Sequence, residues 1–146
     1  AKKLGWNVQS LGATPVNVLE IPLLGKDVVE GLLAAAAFEI PYEDTAKGKV
    51  KDWLANYKKQ FGSDANTQAI IGYNAVMTFA HYVKEAGKDL NGQKLLDALE
   101  SGKPFDDIFG NPTTKFSKTN HLASTVTQVH KVEKGRWVVV KGGLMF

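Results

Sequence analysis

The sequence predicts an α/β fold, and three observations carry that prediction. An apolar, alanine-rich run, Gly31-Leu32-Leu33-Ala34-Ala35-Ala36-Ala37-Phe38, starts at a glycine and is closed by Ile40-Pro41, which is strand length with turn chemistry on both sides. Three segments with a helical 3.6-residue apolar period occupy the middle of the chain. The C-terminal stretch reads as a strand pair around a glycine-containing turn.

The elements follow in order. Ala1-Lys2-Lys3-Leu4-Gly5 reads as the last turn of a helix closed by a glycine, so the chain is expected to enter an α/β protein part-way through, as a fragment. Asn7 to Leu11 reads as a strand and Gly12-Ala13 as a loop. Pro15 reads as the first residue of a helix running toward Leu24, with Thr14 as its N-cap. Residues 31 to 39 read as a buried strand, because alanine's helical advantage is below about 1 kcal/mol per residue and a sheet covered on both faces outweighs it.

Asp44 or Thr45 is expected to cap a helix in which Val50, Trp53, Leu54, Tyr57 and Phe61 form one apolar stripe, stopped by Gly62. After the loop Ser63-Asp64-Ala65-Asn66, Thr67 to Ala86 make a second helix. Its apolar residues Ile70, Ile71, Tyr73, Val76, Phe79, Ala80 and Val83 lie around much of the circumference, so it is expected to be mostly buried. A shorter helix, roughly Gly92 to Ser101, presents Leu95, Leu96 and Leu99 to the core. Residues 103 to 124 break into turns, with Gly110-Asn111-Pro112 the clearest. Thr125 to Val132 and Trp137 to Val140 then form a hairpin around Glu133-Lys134-Gly135-Arg136.

With 146 residues and 44% hydrophobic composition, the chain can bury a core as one domain without disulfides or metal. A formal charge of +3 is mild, and the lysines are scattered over solvated helix faces, which argues against nucleic acid as a partner. No segment reaches the about 20 apolar residues that span a bilayer, and no signal-peptide pattern stands at the start. The absence of cysteine removes thiol catalysis, cysteine-ligated zinc and disulfides.

Motifs for catalysis, zinc and phosphate binding (G-x-S-x-G, H-E-x-x-H, glycine-rich phosphate loops) are absent, which counts against an enzyme. His81, His121 and His130 lack metal-ligand spacing and read as packing, capping or surface residues, so no metal or other cofactor is expected. Asp106-Asp107 reads as a pair of turn residues facing different ways rather than as an acid/base pair. A small hydrolase built on Asp106, Asp107 or His121 rests only on titratable groups lying in a turn-rich segment. The most informative local site is Gly12-Ala13-Thr14-Pro15, which joins the carboxyl end of a strand to a helix start, where open α/β sheets bind ligands. Thr14 equally reads as a plain helix cap.

Taken in order, Leu4-Gly5, the Leu11-Gly12 loop, Gly25-x-Asp27-x-x-Glu30-Gly31 before a strand, the Trp53 to Phe61 helix and Tyr73-Asn74-Ala75-Val76 resemble one family. They are similar to the C-terminal part of branched-chain amino-acid type (type I) periplasmic solute-binding proteins of ABC transporters. The resemblance covers nearly the whole chain; the order and spacing of its motifs carry it, and no single motif does. It implies a fragment of a two-lobed α/β fold that contributes pieces of both lobes. Residues 1–39 would be a strand-helix-strand piece of the second lobe, 40–118 a mainly helical piece of the first, and 119–146 a hairpin returning to the second, with a hinge crossing near Ala37 to Tyr42.

The resemblance further implies uptake by hinge closure around a small-molecule ligand, with a membrane permease as partner and a periplasmic or extracellular, membrane-tethered location. A ligand-sensing module of the same fold is the alternative. The ligand-binding residues it implies are Ala13, Thr14 and Gln68, although Gln68 equally reads as a solvated helix-terminal residue. The family's amino-acid binders often carry a carboxylate where Thr14 stands. A hydroxyl with helix-start N–H groups suits a carboxylate or neutral polar ligand better than an ammonium, so aromatic and aliphatic acids stand beside leucine as expected ligands. Much of the ligand cleft would lie upstream, in an N-terminal part of the same protein, so these residues alone are expected to bind weakly and to associate with themselves or with that part.

Overall fold

The computed structural model describes residues 4–145, so the expected helix end at Ala1 to Lys3 lies outside the described residues. The chain divides into two compact units, one of Ala1–Tyr42 with Val126–Phe146 and the other of Glu43–Thr125.

The first unit is built on a four-stranded sheet. Its strands, in spatial as in chain order, are β1 (Leu11–Gly12), β2 (Leu33–Ala36), β3 (Val126–Glu133) and β4 (Arg136–Met145). β1 and β2 are parallel, with Leu11 opposite Leu33; the other two pairings are antiparallel. The alanine run is thus a strand, shorter than the 31 to 39 expected. It is paired on both edges, and Ala34 and Ala36 are fully buried. β1 keeps only the last residue of the expected strand, because pairing with β2 begins at Leu11.

Against this sheet lies the core of Ala34, Ile40, Val132 and Trp137, with Val16, Leu19, Val29 and Tyr42 packed around it. Trp137 is anchored twice, its indole N–H donating to the Val18 carbonyl at 2.8 Å and its backbone N–H to the Tyr42 hydroxyl at 2.8 Å. The Arg136 guanidinium stands 5.0 Å over the Tyr42 ring.

The helix expected from Pro15 to Leu24 is divided. Thr14–Val16 form one 3-10 turn, and the α-helix α1 spans Glu20–Gly25. Pro22 explains the break: inside a helix begun at Pro15 it would remove a hydrogen bond and clash with the preceding turn, whereas in α1 it falls in the first turn, where its missing N–H costs nothing. The C-terminal hairpin turns on two residues, Lys134 and Gly135, both with positive φ (53° and 73°), which matches the twist of the strands it joins. The Glu30 carboxylate accepts from both of their N–H groups, at 2.8 and 3.4 Å. β4 runs on to Met145, well past the expected Val140.

The second unit is helical, with α2 (Gly48–Phe61), α3 (Thr67–Ala86) and α4 (Gly92–Ser101). α2 starts later than the expected Asp44 or Thr45 cap. Its N-cap is Lys47, and Gly48 takes φ 53°, a left-handed value through which a right-handed helix cannot extend upstream. It ends at Gly62 in the left-handed conformation, as expected. α3 and α4 are capped by Asn66 and Asn91, each accepting from the N–H three residues on at 2.9 Å.

α3 is not mostly buried. Thr67, Ile70 and Tyr82 are buried, while Ile71, Val76 and Phe79 are 52%, 65% and 57% exposed. The aromatic contacts of α3 run from Tyr73 to Trp53 and Phe109 and from Tyr82 to Phe116, so the unit covers one side of the helix. Ile71, Gly72, Ala75, Val76, Phe79 and Ala80 form the other side, an apolar face open to solvent. In α4 Leu95 and Leu99 are half-buried and Leu96 is exposed. None of the described helices is long and apolar enough to cross a membrane.

Candidate functional site

The loop at the carboxyl end of β1 follows from two local choices. Gly12 has no side chain, so Val16 folds back onto it; a Cβ at Gly12 would lie 2.7 Å from the Val16 Cβ. Pro15 then sets the φ of the 3-10 turn. The turn closes with Val16 N–H donating to Ala13 and Asn17 N–H to Thr14, both at 2.9 Å.

Ala13, not Thr14, occupies the cap position, and no side chain caps the turn. Thr14 is the first residue of the turn and is exposed, as is Ala13. The helix-start donors expected here are reduced accordingly, since the Val16 and Asn17 N–H groups are satisfied inside the turn and Pro15 has none. What the loop presents outward is the Thr14 side chain. No acidic residue lies between Leu11 and Leu19.

Replacing Gly12 by alanine is expected to cost about 1–3 kcal/mol through overpacking against Val16 and to loosen the turn, as measured by denaturant unfolding. A change below about 0.5 kcal/mol, the size of an ordinary surface substitution, would show that the turn yields without strain.

Beneath the turn lies a polar network that sequence reasoning did not find. Asn17, buried, donates from Nδ2 to Nδ1 of His130 at 3.2 Å, and the other ring nitrogen of His130 lies 3.1 Å from the Gln128 side-chain oxygen. This pairing makes Nδ1 the acceptor and places the ring proton on Nε2. Burial holds the imidazole below its ordinary pKa, so it stays neutral. One signal for the network is legible in the sequence, a histidine at an inward position of a strand.

Gln68 stands in the first turn of α3, in the other unit, and is exposed. The sequence-selected residues therefore fall into two places, with Ala13 and Thr14 together and Gln68 elsewhere in the fold. Next to Gln68, the buried Thr67 hydroxyl has no hydrogen-bond partner among the described residues.

The titratable residues of the turn-rich segment have structural roles. The Asp107 carboxylate accepts from the N–H of Phe109 (2.7 Å) and Asn111 (3.2 Å), from the Asn74 side chain (2.8 Å) and from the Asn111 side chain. Asp106 accepts from the Thr113 hydroxyl instead, so the two carboxylates serve different partners, as expected. His121 pairs with Glu100 at 2.9 Å, and His81 donates from Nε2 to the Lys103 carbonyl at 3.1 Å. Among the described residues, no group of three His, Cys, Asp or Glu side chains is arranged to hold a metal.

Sheet and loop together are of the kind in which an open α/β sheet receives a small ligand at the carboxyl end of a strand. The chain belongs to the periplasmic binding protein family, whose model matches residues 1–136. A search of curated protein sequences finds no match.

Among solved structures, a branched-chain amino acid ABC transporter protein from Thermus thermophilus with bound valine is 18% identical, with a TM-score of 0.77 over 100% of this chain and 41% of its own. A fatty acid ABC transporter substrate-binding protein from Thermomonospora curvata is 23% identical, with a TM-score of 0.76 over 100% and 39%. A solute-binding protein of an ABC transporter from R. palustris in complex with benzoate is 15% identical, with a TM-score of 0.66 over 92% and 36%. The fold is therefore that of type I periplasmic binding proteins, and the chain spans about two-fifths of the length of these structures.

Proposed function

We propose that this chain is part of the solute-binding component of an ABC uptake transporter, working in the periplasm or at the outer cell surface and delivering its ligand to a membrane permease. Binding requires no covalent chemistry: the ligand stabilises a closed state through contacts to two lobes that the open state lacks. The unit carrying the sheet contributes to one lobe and the helical unit to the other, and the chain near Ala37 to Tyr42 crosses the hinge. The exposed apolar face of α3 is covered by another part of the same protein. Family membership supports this reading.

Within it, the ligand is a small polar or carboxylate-bearing molecule, an amino acid or an organic acid, and Ala13, Thr14 and Gln68 are the residues proposed to touch it. The observation that carries the ligand class is the loop itself, an exposed threonine at the carboxyl end of β1 with no acidic side chain from Leu11 to Leu19. An ammonium group would find no counter-charge there. The spread of ligands in the related structures, valine, a fatty acid protein's substrate and benzoate, is in keeping with that breadth.

A thermal-shift panel of valine, leucine, benzoate and a short fatty acid on the full-length protein tests it. A true ligand at 100 times its Kd stabilises by about 2.7 kcal/mol. Organic acids are expected to stabilise at least as well as branched-chain amino acids, and Thr14→Ala to reduce the shift. Stabilisation by branched-chain amino acids alone, with the acids inert, would overturn the ligand class.

A further inference from the structure

We propose that Asn17, His130 and Gln128 form an acid-sensitive latch that holds the Ala13–Asn17 turn closed at neutral pH and loosens it as the pH falls below about 6. The proposal deepens the binding reading above, since the turn it holds is the one that carries Ala13 and Thr14.

The geometry is specific. Asn17 ends the turn, so its side chain ties the turn to β3, where His130 sits between Ala34 of β2 and Val139 of β4. The ring is 1% exposed, and both of its nitrogens are engaged by neutral amides. A proton added at Nδ1 would face the donating Asn17 amide. Rotation of that amide could restore a hydrogen bond, but it could not hydrate the new charge.

Among the described residues, no charged group bonds to the ring. β2 and the 3-10 turn carry no ionisable side chain. On β3, Lys131 is paired with Glu133 at 2.9 Å. On β4, Arg136 lies over Tyr42, and Lys141 is exposed. On α1 the acidic group is Glu20, one of whose carboxylate oxygens is buried with no hydrogen-bond partner among the described residues. Burial is the cause that lowers the ring's proton affinity.

The sign follows from linkage. With the turn open, His130 is hydrated and takes up its proton near its ordinary value of 6.5; with the turn closed, it does so only at lower pH. Acid therefore favours the open turn. At pH 5.5 the opening equilibrium is expected to be larger than at pH 7.5, by at most about tenfold, the limit in which only the open turn takes up the proton.

Amide hydrogen exchange of Val16 and Asn17 in the unliganded protein, corrected for the intrinsic pH dependence of exchange, reads this directly. Protection is expected to fall from pH 7.5 to 5.5 in the wild type, by up to about tenfold. It should stay flat in His130→Gln, whose side-chain oxygen can still accept from Asn17. If that variant fails to fold, Asn17→Ala serves instead, with low protection at both pH values.

Ring nitrogen chemical shifts should show the Nε2–H tautomer at pH 7.5. Protection that does not change with pH in the wild type, or a ring protonated on Nδ1 at neutral pH, would overturn the latch. Because no ligand enters these measurements, failure of the ligand panel would leave the latch standing and remove only its link to binding.

Discussion

Replacing Trp137 by alanine is expected to destabilise the sheet-bearing unit by about 4–8 kcal/mol, a large part of the 5–15 kcal/mol that holds an ordinary domain together. Two separate losses add to this figure. Removing a buried indole leaves a cavity among Ala34, Ile40 and Val132, worth about 3–5 kcal/mol for a Trp→Ala change. The half-buried Val18 carbonyl also loses its donor at 2.8 Å, which adds up to about 1–3 kcal/mol, the cost of an acceptor left unpaired away from water. Trp137→Phe separates the two, since it keeps most of the volume and loses only the N–H. Urea unfolding followed by circular dichroism measures both variants. A loss below about 2 kcal/mol for the alanine variant, at or under the low end of core truncations, would mean that the core is not organised around this residue.

Asp107→Ala is expected to cost about 3–5 kcal/mol, more than a solvated turn carboxylate would. Hydrogen bonds to a charged group are worth about 1.5–3 kcal/mol each. Asp107 makes four, all within residues 107 to 111 except the one from Asn74 on α3. Its loss frees the segment that places Phe109, which stacks edge-on against Trp53 at 5.1 Å and Tyr73 at 5.9 Å. The near-ultraviolet signal of the aromatic cluster should therefore weaken along with stability. Asp107→Asn keeps one acceptor oxygen and should fall between the two. An alanine variant within about 1 kcal/mol of wild type, where most point changes lie, would show that the loop is held by its apolar contacts instead.

How much was legible in the sequence depended on how local the cause was. The bounds of α3 and α4 were readable because caps and periodicity lie within a few residues of one another. The break before α1 was also written locally, in Pro22, and was passed over in favour of the Thr14-Pro15 start. The role of Asp107 was partly visible as a turn residue. Its bond to Asn74 was not, since the two are far apart in sequence and meet only through packing. Local context and resemblance point to Ala13, Thr14 and Gln68; of the network beneath them only the inward-facing His130 is legible, and its pairing with Asn17, 113 positions away, is not.

By itself, then, the sequence determined the bounds of α3 and α4, that the alanine run is a strand, and that the chain follows the pattern of a periplasmic binding protein. These are properties of neighbours along the chain, where propensity, capping and turn chemistry act over a few residues. Only the tertiary structure decided which faces are buried. An apolar residue on α3 is inside or outside according to what packs against it, so Ile70 is covered while Ile71, one position on, is half exposed. The same reason places a neutral histidine under the candidate ligand turn: burial and hydrogen bonding between distant segments are set by the packed fold, and no local pattern encodes them.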